Sequence, residues 1–416
     1  MKDTELYAVL LDIRRPWHVR DVQINPEKGR VDVWIEEDAG ATFACAVCGK
    51  SVGVYDHTEE QVWRHLDTCQ YQTYVHARLP RTACPDDGVK QIATLWAEPR
   101  SQWTRPMEIR LIDVMKECDL TGVTRLMQTS WDQMLGVQCR AVQRGLSRKE
   151  RRVPERIGID EKSLGKGHHY ESIVCDLDRG VVEYVVDDRK QESLETYYRL
   201  FTSEELAGIK AVALDMWDPY IAATRACVPD ADKKIVFDRY HVTTQMTKAV
   251  DKVRRMEQRT LEQEGDRRLV KTKYLWLRNE ENIPPWRRGE FDKIKNAELK
   301  TSRAWAIKEA LRGFWGYVYP QCAGKYFKAW HFWATHSRLR PVISAARTLK
   351  RHLAGIMTYF THRVTNATAE GINSKIQTIK QMACGYRNRE HYRMAIYFHC
   401  GGLDLYPRPC TEAGAA

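Results

Sequence analysis

Three acids far apart in the chain have the setting of metal-assisted chemistry on phosphate. The run VPERIGIDEKS (153–163) is apolar up to Asp160, and AVALD (211–215) ends in Asp215. Each reads as a strand that finishes on charge. In an open α/β sheet, sites form at strand ends where neighbouring connections diverge. Two such strands side by side put two carboxylates together. Paired carboxylates resist joint ionisation. A divalent cation removes that conflict, and Mg2+ takes hard oxygen ligands while keeping positions for water or phosphate. The third acid, Glu370, lies in TNATAEGINSKIQTIKQMACGYRN (365–388). Asn366 is placed there to cap a helix. Ile372, Ile376, Ile379 and Ala383 form a core-facing stripe, with Glu370, Asn373, Ser374, Gln377 and Gln381 on another face. Lys375, Lys380, Arg387 and Arg389 follow the acid, which suits a site that receives phosphate. Singly, each acid has an ordinary role: Asp160 in a lysine pair, Asp215 as a helix cap, Glu370 on a solvated face. Their joint placement points to chemistry.

The elements that must position these acids are legible from periodicity. RIGIDEK, HHYESIVCDL (168–177) and VVEYVVDD (181–188) read as three consecutive strands, with Asp178, Arg179 and Gly180 turning between the last two. A helix (192–201), a strand (209–217), a second helix and a fifth strand (233–241) follow. The order βββ-α-β-α-β implies a mixed sheet with helices on its faces, the strand order of an RNase-H-like core. Beyond Tyr240 the chain reads as helical and basic to about residue 360. From Val242 to Trp330, 20 Lys and Arg stand against 11 Asp and Glu. Most of the formal net charge of +11 therefore sits in one segment, and nucleic acid is the usual partner of such an excess.

Upstream, VDVWIEE (31–37) and YQTYVHARL (71–79) alternate as strands, and AEPRSQWTRP (97–106) reads as a linker. Residues 107–150 read as helices with a break at Gln128–Ser130, Ser130 capping a helix that begins at Trp131. That pattern fits a helix-turn-helix or an ordinary helical hairpin. The knuckle CAVCGK supplies Cys45 and Cys48, and Cys84 follows 36 residues later. Three thiolates are one short of a tetrahedral zinc site. Twelve cysteines scattered over 416 residues do not form a secreted disulfide framework. No apolar run is long enough to span a bilayer, and the N-terminus does not read as a signal peptide. The expected compartment is the cytoplasm.

The stretches GIDEKSLGKGHHYESIVCDLD, VALDMWDPYIAATRACVPDA, FDRYHV with AVDKVRR after it, and NATAEGINSKIQTIKQMACGYRN resemble the DDE transposases of bacterial insertion sequences, of the ISL3 type. The resemblance covers nearly the whole chain. It implies an α/β RNase-H-like catalytic core, built on a mixed sheet and interrupted by a helical insertion. It also implies a small N-terminal β region with a zinc knuckle, and a helix-turn-helix. The expected spans are 1–100 for the N-terminal region, 101–150 for the helix-turn-helix, 151–245 for the first part of the core, 246–345 for the basic insertion, 346–405 for the second part with Glu370, and 406–416 for a tail.

By this resemblance Asp160, Asp215 and Glu370 are the metal-binding triad, 55 and then 155 residues apart. They would hold two Mg2+ (or Mn2+) ions for metal-dependent cleavage and transfer of strands, with no covalent protein–DNA intermediate. His241, with Asp238 in a D-x-x-H pair, is expected to assist without binding metal; the alternative is a structural hydrogen bond. The resemblance places a fourth zinc ligand at Asp87, with His57, His65 or Cys69 as alternatives, or a degraded site. Arg125, Gln133, Gln138, Arg140, Arg144, Arg148 and Lys149 become candidate DNA contacts, and the insertion is expected to track DNA backbone. The implied partners are double-stranded DNA of the transposon ends and target, and further copies of the chain, at least a dimer. The implied location is the bacterial nucleoid. The alternatives are a catalytically silent DNA-binding regulator and a metal-dependent nuclease without strand transfer.

Overall fold

The computed structural model describes residues 2–45, 47–163, 170–364 and 367–408. Asn366, expected to cap a helix, and His168 and His169, expected to open a strand, lie outside them. The chain forms two compact units, one of residues 1–149 with 390–416 and one of residues 150–389.

The first unit begins with α1 (Asp3–Leu10), β1 (Trp17–Asn25), β2 (Arg30–Glu37), β3 (Thr42–Ala44), β4 (Ser51–Arg64), β5 (Gln72–Cys84) and β6 (Gly88–Gln91). The sheet runs β1-β2-β5-β4-β3, with β6 on the free side of part of β5. Alternation in β2 buries Val31, Val33 and Ile35; Val31 and Val33 cluster with Tyr7 and Val19, and Ile35 with Trp17, Trp63, Val75 and Leu79. The segment expected as a linker is part of this unit: Ala97, Ser101, Trp103 and Thr104 are buried. Pro106 opens α2 (Arg105–Glu117), followed by α3 (Leu120–Met127) and α4 (Trp131–Arg148). The break between α3 and α4 has a clear cause. Gln128 turns left-handed (φ 49°), and Ser130 caps α4 by accepting the Gln133 N–H at 3.3 Å. The Gln133 side chain accepts the Ser130 N–H in return at 2.9 Å, closing a capping box.

The second unit holds β7 (Arg156–Ser163), β8 (Tyr170–Asp176), β9 (Val181–Asp187), α5 (Gln191–Tyr198), α6 (Ser203–Ala207), β10 (Ala211–Leu214), α7 (Asp218–Cys227), α8 (Ala231–Lys234) and β11 (Ile235–Phe237). The order is β11-β10-β7-β8-β9. The first three strands are parallel, and the β7–β8–β9 meander is antiparallel. Then come α9 (Arg239–Gln263), α10 (Lys273–Leu277), α11 (Pro285–Lys295), α12 (Lys300–Gly313), α13 (Pro320–Thr335), α14 (Arg340–Arg351), α15 (Leu353–Met357), α16 (Tyr359–His362) and α17 (Ala367–Met382). One apolar core runs from Ile157, Val212 and Leu214 of the sheet through Val250 of α9 to Trp276, Trp305 and Trp330. The helical segment is therefore packed into the sheet's own core. The last helix, α18 (Arg389–Cys400), belongs from Glu390 onward to the first unit.

Candidate active site

Strand register brings the first two acids together. β10 pairs with β7 from Ala211 beside Arg156 to Ala213 beside Gly158, an offset of 55 residues. Asp215 and Asp160 differ by the same 55. Carried two residues past the last pair, the register sets the acids side by side. Asp160 lies within β7, which runs on to Ser163 against β8. The level of Asp160 is where the parallel pairing with β10 stops, so the expected strand end is that of the neighbour. The same extension works on the other side. Leu214 pairs with Phe237, which puts Asp238 beside Asp215, and the Asp238 N–H donates to the Leu214 carbonyl at 3.3 Å. Three adjacent parallel strands thus offer Asp160, Asp215 and Asp238 at one level.

The third acid arrives on α17, and small residues let it arrive. In β7, Ile157 and Ile159 face the main core, so Gly158, Asp160 and Lys162 share the opposite face. A Cβ on Gly158 would lie 2.7 Å from Leu177 Cδ2 and 3.4 Å from the Ala369 Cβ. Ala369 packs there with Leu177 and Ala213, and Glu370 is the next residue. One turn on, the Asn373 amide donates to Asp160 Oδ2, and further along Lys380 Nζ donates to the Ser163 carbonyl at 2.7 Å. Helix and strand keep step because four helical residues and two strand residues advance by a similar distance, about 6 and 6.6 Å. Ile372, Ile376 and Ile379 are buried as expected, whereas Ala383 is exposed just past the helix end.

A cavity of about 530 Å3 opens over this face, lined by Asp160, Lys162, Asp238, His241, Glu370 and Asn373 among others. Lys162 was missed in the sequence; its signal was the i+2 spacing from Asp160. His241 Nδ1 lies 3.6 Å from Asp215 Oδ1 and 3.6 Å from Asp238 Oδ2. It bridges two acids without a close hydrogen bond. Burial, before any neighbouring charge, pushes the Asp238 carboxyl above its ordinary range, against the opposing pull of His241. Asn373 Oδ1 is buried without a hydrogen-bond partner, an unused acceptor beside carboxylates and hence a donor set that suits a hard cation. The oxygens of the three acids are not drawn within 4.8 Å of one another. Among the described residues, Cys45, Cys48, Cys84 and Asp87 form the group that converges so closely.

Those four residues sit at two turns, Cys45 and Cys48 between β3 and β4, Cys84 at the end of β5 and Asp87 in the turn before β6. Gly49 and Gly88 follow at positive φ (75° and 72°) and allow both turns. Cys48 Sγ lies 3.4 Å from Cys84 Sγ, and Asp87 Oδ2 lies 3.4 Å from Cys45 Sγ and 3.5 Å from Cys84 Sγ. Ligands on a zinc tetrahedron with bonds near 2.0–2.3 Å stand about 3.4–3.8 Å apart, so the donors fit zinc. The Asp87 carboxylate, first among several contacts, pushes the Cys48 thiol up to about 12. The alternatives are engaged elsewhere or lie outside the cluster: His57 pairs with Glu37 at 2.5 Å, His65 with Thr104 at 2.8 Å, and Cys69 is exposed.

A family profile for transposases of the DDE, ISL3 type matches residues 157–396, more than half of the chain. The chain belongs to the ISL3-type DDE transposases. A second profile, the zinc finger of the IS204/IS1001/IS1096/IS1165 transposases, matches residues 41–87, the span that carries the four clustered ligands. The transposase for insertion sequence element IS1001 of Bordetella parapertussis is 25% identical over 356 residues, covering 85% of this chain and 87% of that protein. The transposase for IS1557 of Mycobacterium tuberculosis is 25% identical over 423 aligned positions, covering 93% of each.

Several side chains expected to meet DNA are engaged within this transposase. Gln138 is 4% exposed and faces the interior. Arg144 is held by Glu98, by Glu108 at 2.5 Å and by the Leu405 carbonyl. Arg140 reaches Glu108 at 3.3 Å, and Arg148 reaches Asp404 at 3.1 Å. Gln133 is spent on the capping box. These side chains fix α4 to its surroundings, because arginines on a packed helix pair with whatever carboxylates the neighbours offer. Arg125 on α3 is exposed and makes no ion pair among the described residues. In the second unit Lys375 and Arg387 are exposed, and Arg389 pairs with Asp187 at 3.5 Å. Among the described residues no helix is long and apolar enough to cross a membrane.

Proposed function

We propose that this transposase binds the terminal inverted repeats of an insertion sequence and performs metal-dependent DNA strand cleavage and strand transfer, on an RNase-H-like core with Asp160, Asp215 and Glu370 as ligands. The observation that carries the reading is the register row. It puts Asp160 beside Asp215 on adjacent strands, while Ala369 on Gly158 delivers Glu370 to the same face. Two Mg2+ or Mn2+ ions held there would supply activation of a nucleophile and stabilisation of a leaving oxygen. Asn373 orients Asp160 through its amide. His241, between Asp215 and Asp238, holds both acids in place and touches no metal. Lys162 and Lys375 draw the phosphates of the strand toward the acids. Water cuts a strand at the transposon end, and the freed 3′ hydroxyl then attacks target DNA. Zinc, held by Cys45, Cys48, Cys84 and Asp87, would lock the two turns of the N-terminal sheet together. Helices α2–α4 serve end recognition, and a dimer or larger assembly of identical chains brings two ends together.

The test is incubation with Mg2+ and labelled DNA carrying the terminal repeats, beside Asp215→Ala. Metal-dependent cutting at the repeat boundary, lost in a variant that still binds, is the expected result. Repeat binding without cutting by either protein would overturn the catalytic part.

A further inference from the structure

Between Glu309 and Glu370 the chain holds no Asp or Glu and nine Lys or Arg. The centre of this acid-free stretch is α14. Its Val342, Ala346 and Leu349 are buried. Arg340, Ser344, Arg347 and Arg351 recur at i, i+4, i+7 and i+11, and all are exposed on the opposite side. None of the three arginines pairs with an acid among the described residues. On other helices of the segment some arginines are paired, Arg254 with Asp251 at 2.8 Å and Arg287 with Glu290 at 2.9 Å. A solvated helix face ordinarily mixes signs in this way, and like charges a turn apart repel. The effect reaches the neighbouring helix. After burial, the charges of Lys350 and Arg347 push the His331 imidazole of α13 down. A row left uncompensated by its own chain fits an anionic partner.

We propose that the outer ridge of α14 is a sequence-independent binding surface for the backbone of duplex DNA, and that it takes the DNA into which the element is joined. The ridge spans about 16 Å from Arg340 to Arg351, the axial rise of about four to five nucleotides of one strand. Its chemistry is that of phosphate contact. The helix RPVISAARTLKR has no Asn or Gln to read adenine edges; its arginines can pair with phosphate or with guanine, and affinity for DNA of unrelated sequence separates the two. The inference rests on the transposase reading for the role of that DNA, and on charge alone for the binding.

The experiment measures affinity of the full chain for a duplex of unrelated sequence across a salt series, with wild type, Arg340→Ala/Arg347→Ala/Arg351→Ala, and the same positions as lysine. The alanine variant should lower the slope of log K against log salt by about 2.7, since each phosphate contact contributes about 0.9. The lysine variant should keep it. Strand transfer into unrelated target should fall with the alanine variant, and cutting at the terminal repeat should persist. An unchanged slope in the alanine variant, with a wild-type far-ultraviolet spectrum and melting point, overturns the proposal. Loss of repeat cutting equal to the loss of transfer overturns the assignment to target DNA. If wild type shows the slope but cuts no repeat, the surface stands and the catalytic reading fails.

Discussion

Gly158 is where packing and chemistry meet, and Gly158→Ala tests the connection. The added Cβ would stand 2.7 Å from Leu177 Cδ2 and 3.3 Å from its Cγ. Carbon atoms settle at about 3.5–4.0 Å, so Leu177 must retreat by about 1 Å. It is nearly buried and leans on Ala213 and Ala369, so the retreat is passed to α17. Overpacking of this kind costs about 1–3 kcal/mol. A unit of this size loses about 2–4 °C per kcal/mol, which gives a fall of about 2–12 °C in Tm. Cutting should fall further than stability implies, since a misplacement of about 1 Å at a reacting centre costs on the order of 100-fold. The decisive measurement is a double-mutant cycle with Leu177→Ala, scored by calorimetry and by DNA cutting. Room made at Leu177 should restore part of both, with a coupling of about 0.5–3 kcal/mol. Wild-type Tm and cutting in Gly158→Ala, with no coupling, would refute the argument that Ala369 on Gly158 positions Glu370.

His241→Ala should fold normally and cut on the order of 10–100-fold more slowly, with Asp215 less well oriented; full cutting by that variant would show that His241 is only structural. Asp87→Cys should complete a four-thiolate site and retain zinc at chelator concentrations that strip the wild type; metal analysis finding no zinc in either protein would sink the site. His65 is buried and its imidazole is pushed down to about 4 by that burial. Its folded value lies below the unfolded one near 6.5, so the unfolded chain takes up the proton first. Stability present above about 6.5 is then lost as pH falls toward 4, by about 3 kcal/mol at most. His65→Gln should flatten that stretch of the pH–stability curve of the first unit, and an unaltered curve would mean that another group titrates there.

The order of the five core strands was legible because each is a short apolar run bounded by turn residues, and Ser130 marked the start of α4 because a capping box is written locally. Three features were not legible, for physical reasons. Pairing of β7 with β10 is non-local, so the equality of the acid spacing and the strand offset emerges only once the register is known. The partners of Arg140, Arg144 and Arg148 lie on distant segments, and a basic helix face looks the same in sequence whether it meets phosphate or buried carboxylate. Lys162 shares the face of Asp160 only through strand alternation, and a lysine two residues past an acid is equally common on any solvated strand.

The apolar core shared by the sheet and the long helical segment has a thermodynamic consequence. Ile157, Leu214 and Trp330 belong to one continuous interior, so residues 150–389 should lose structure in a single cooperative step on heating. Trimming the helices would strip cover from the strands that bear the acids. Damage to a remote tryptophan such as Trp276 would register as lost heat tolerance of the catalytic face. In this protein the long helical segment and the strands that bear the acids should share one fate on unfolding.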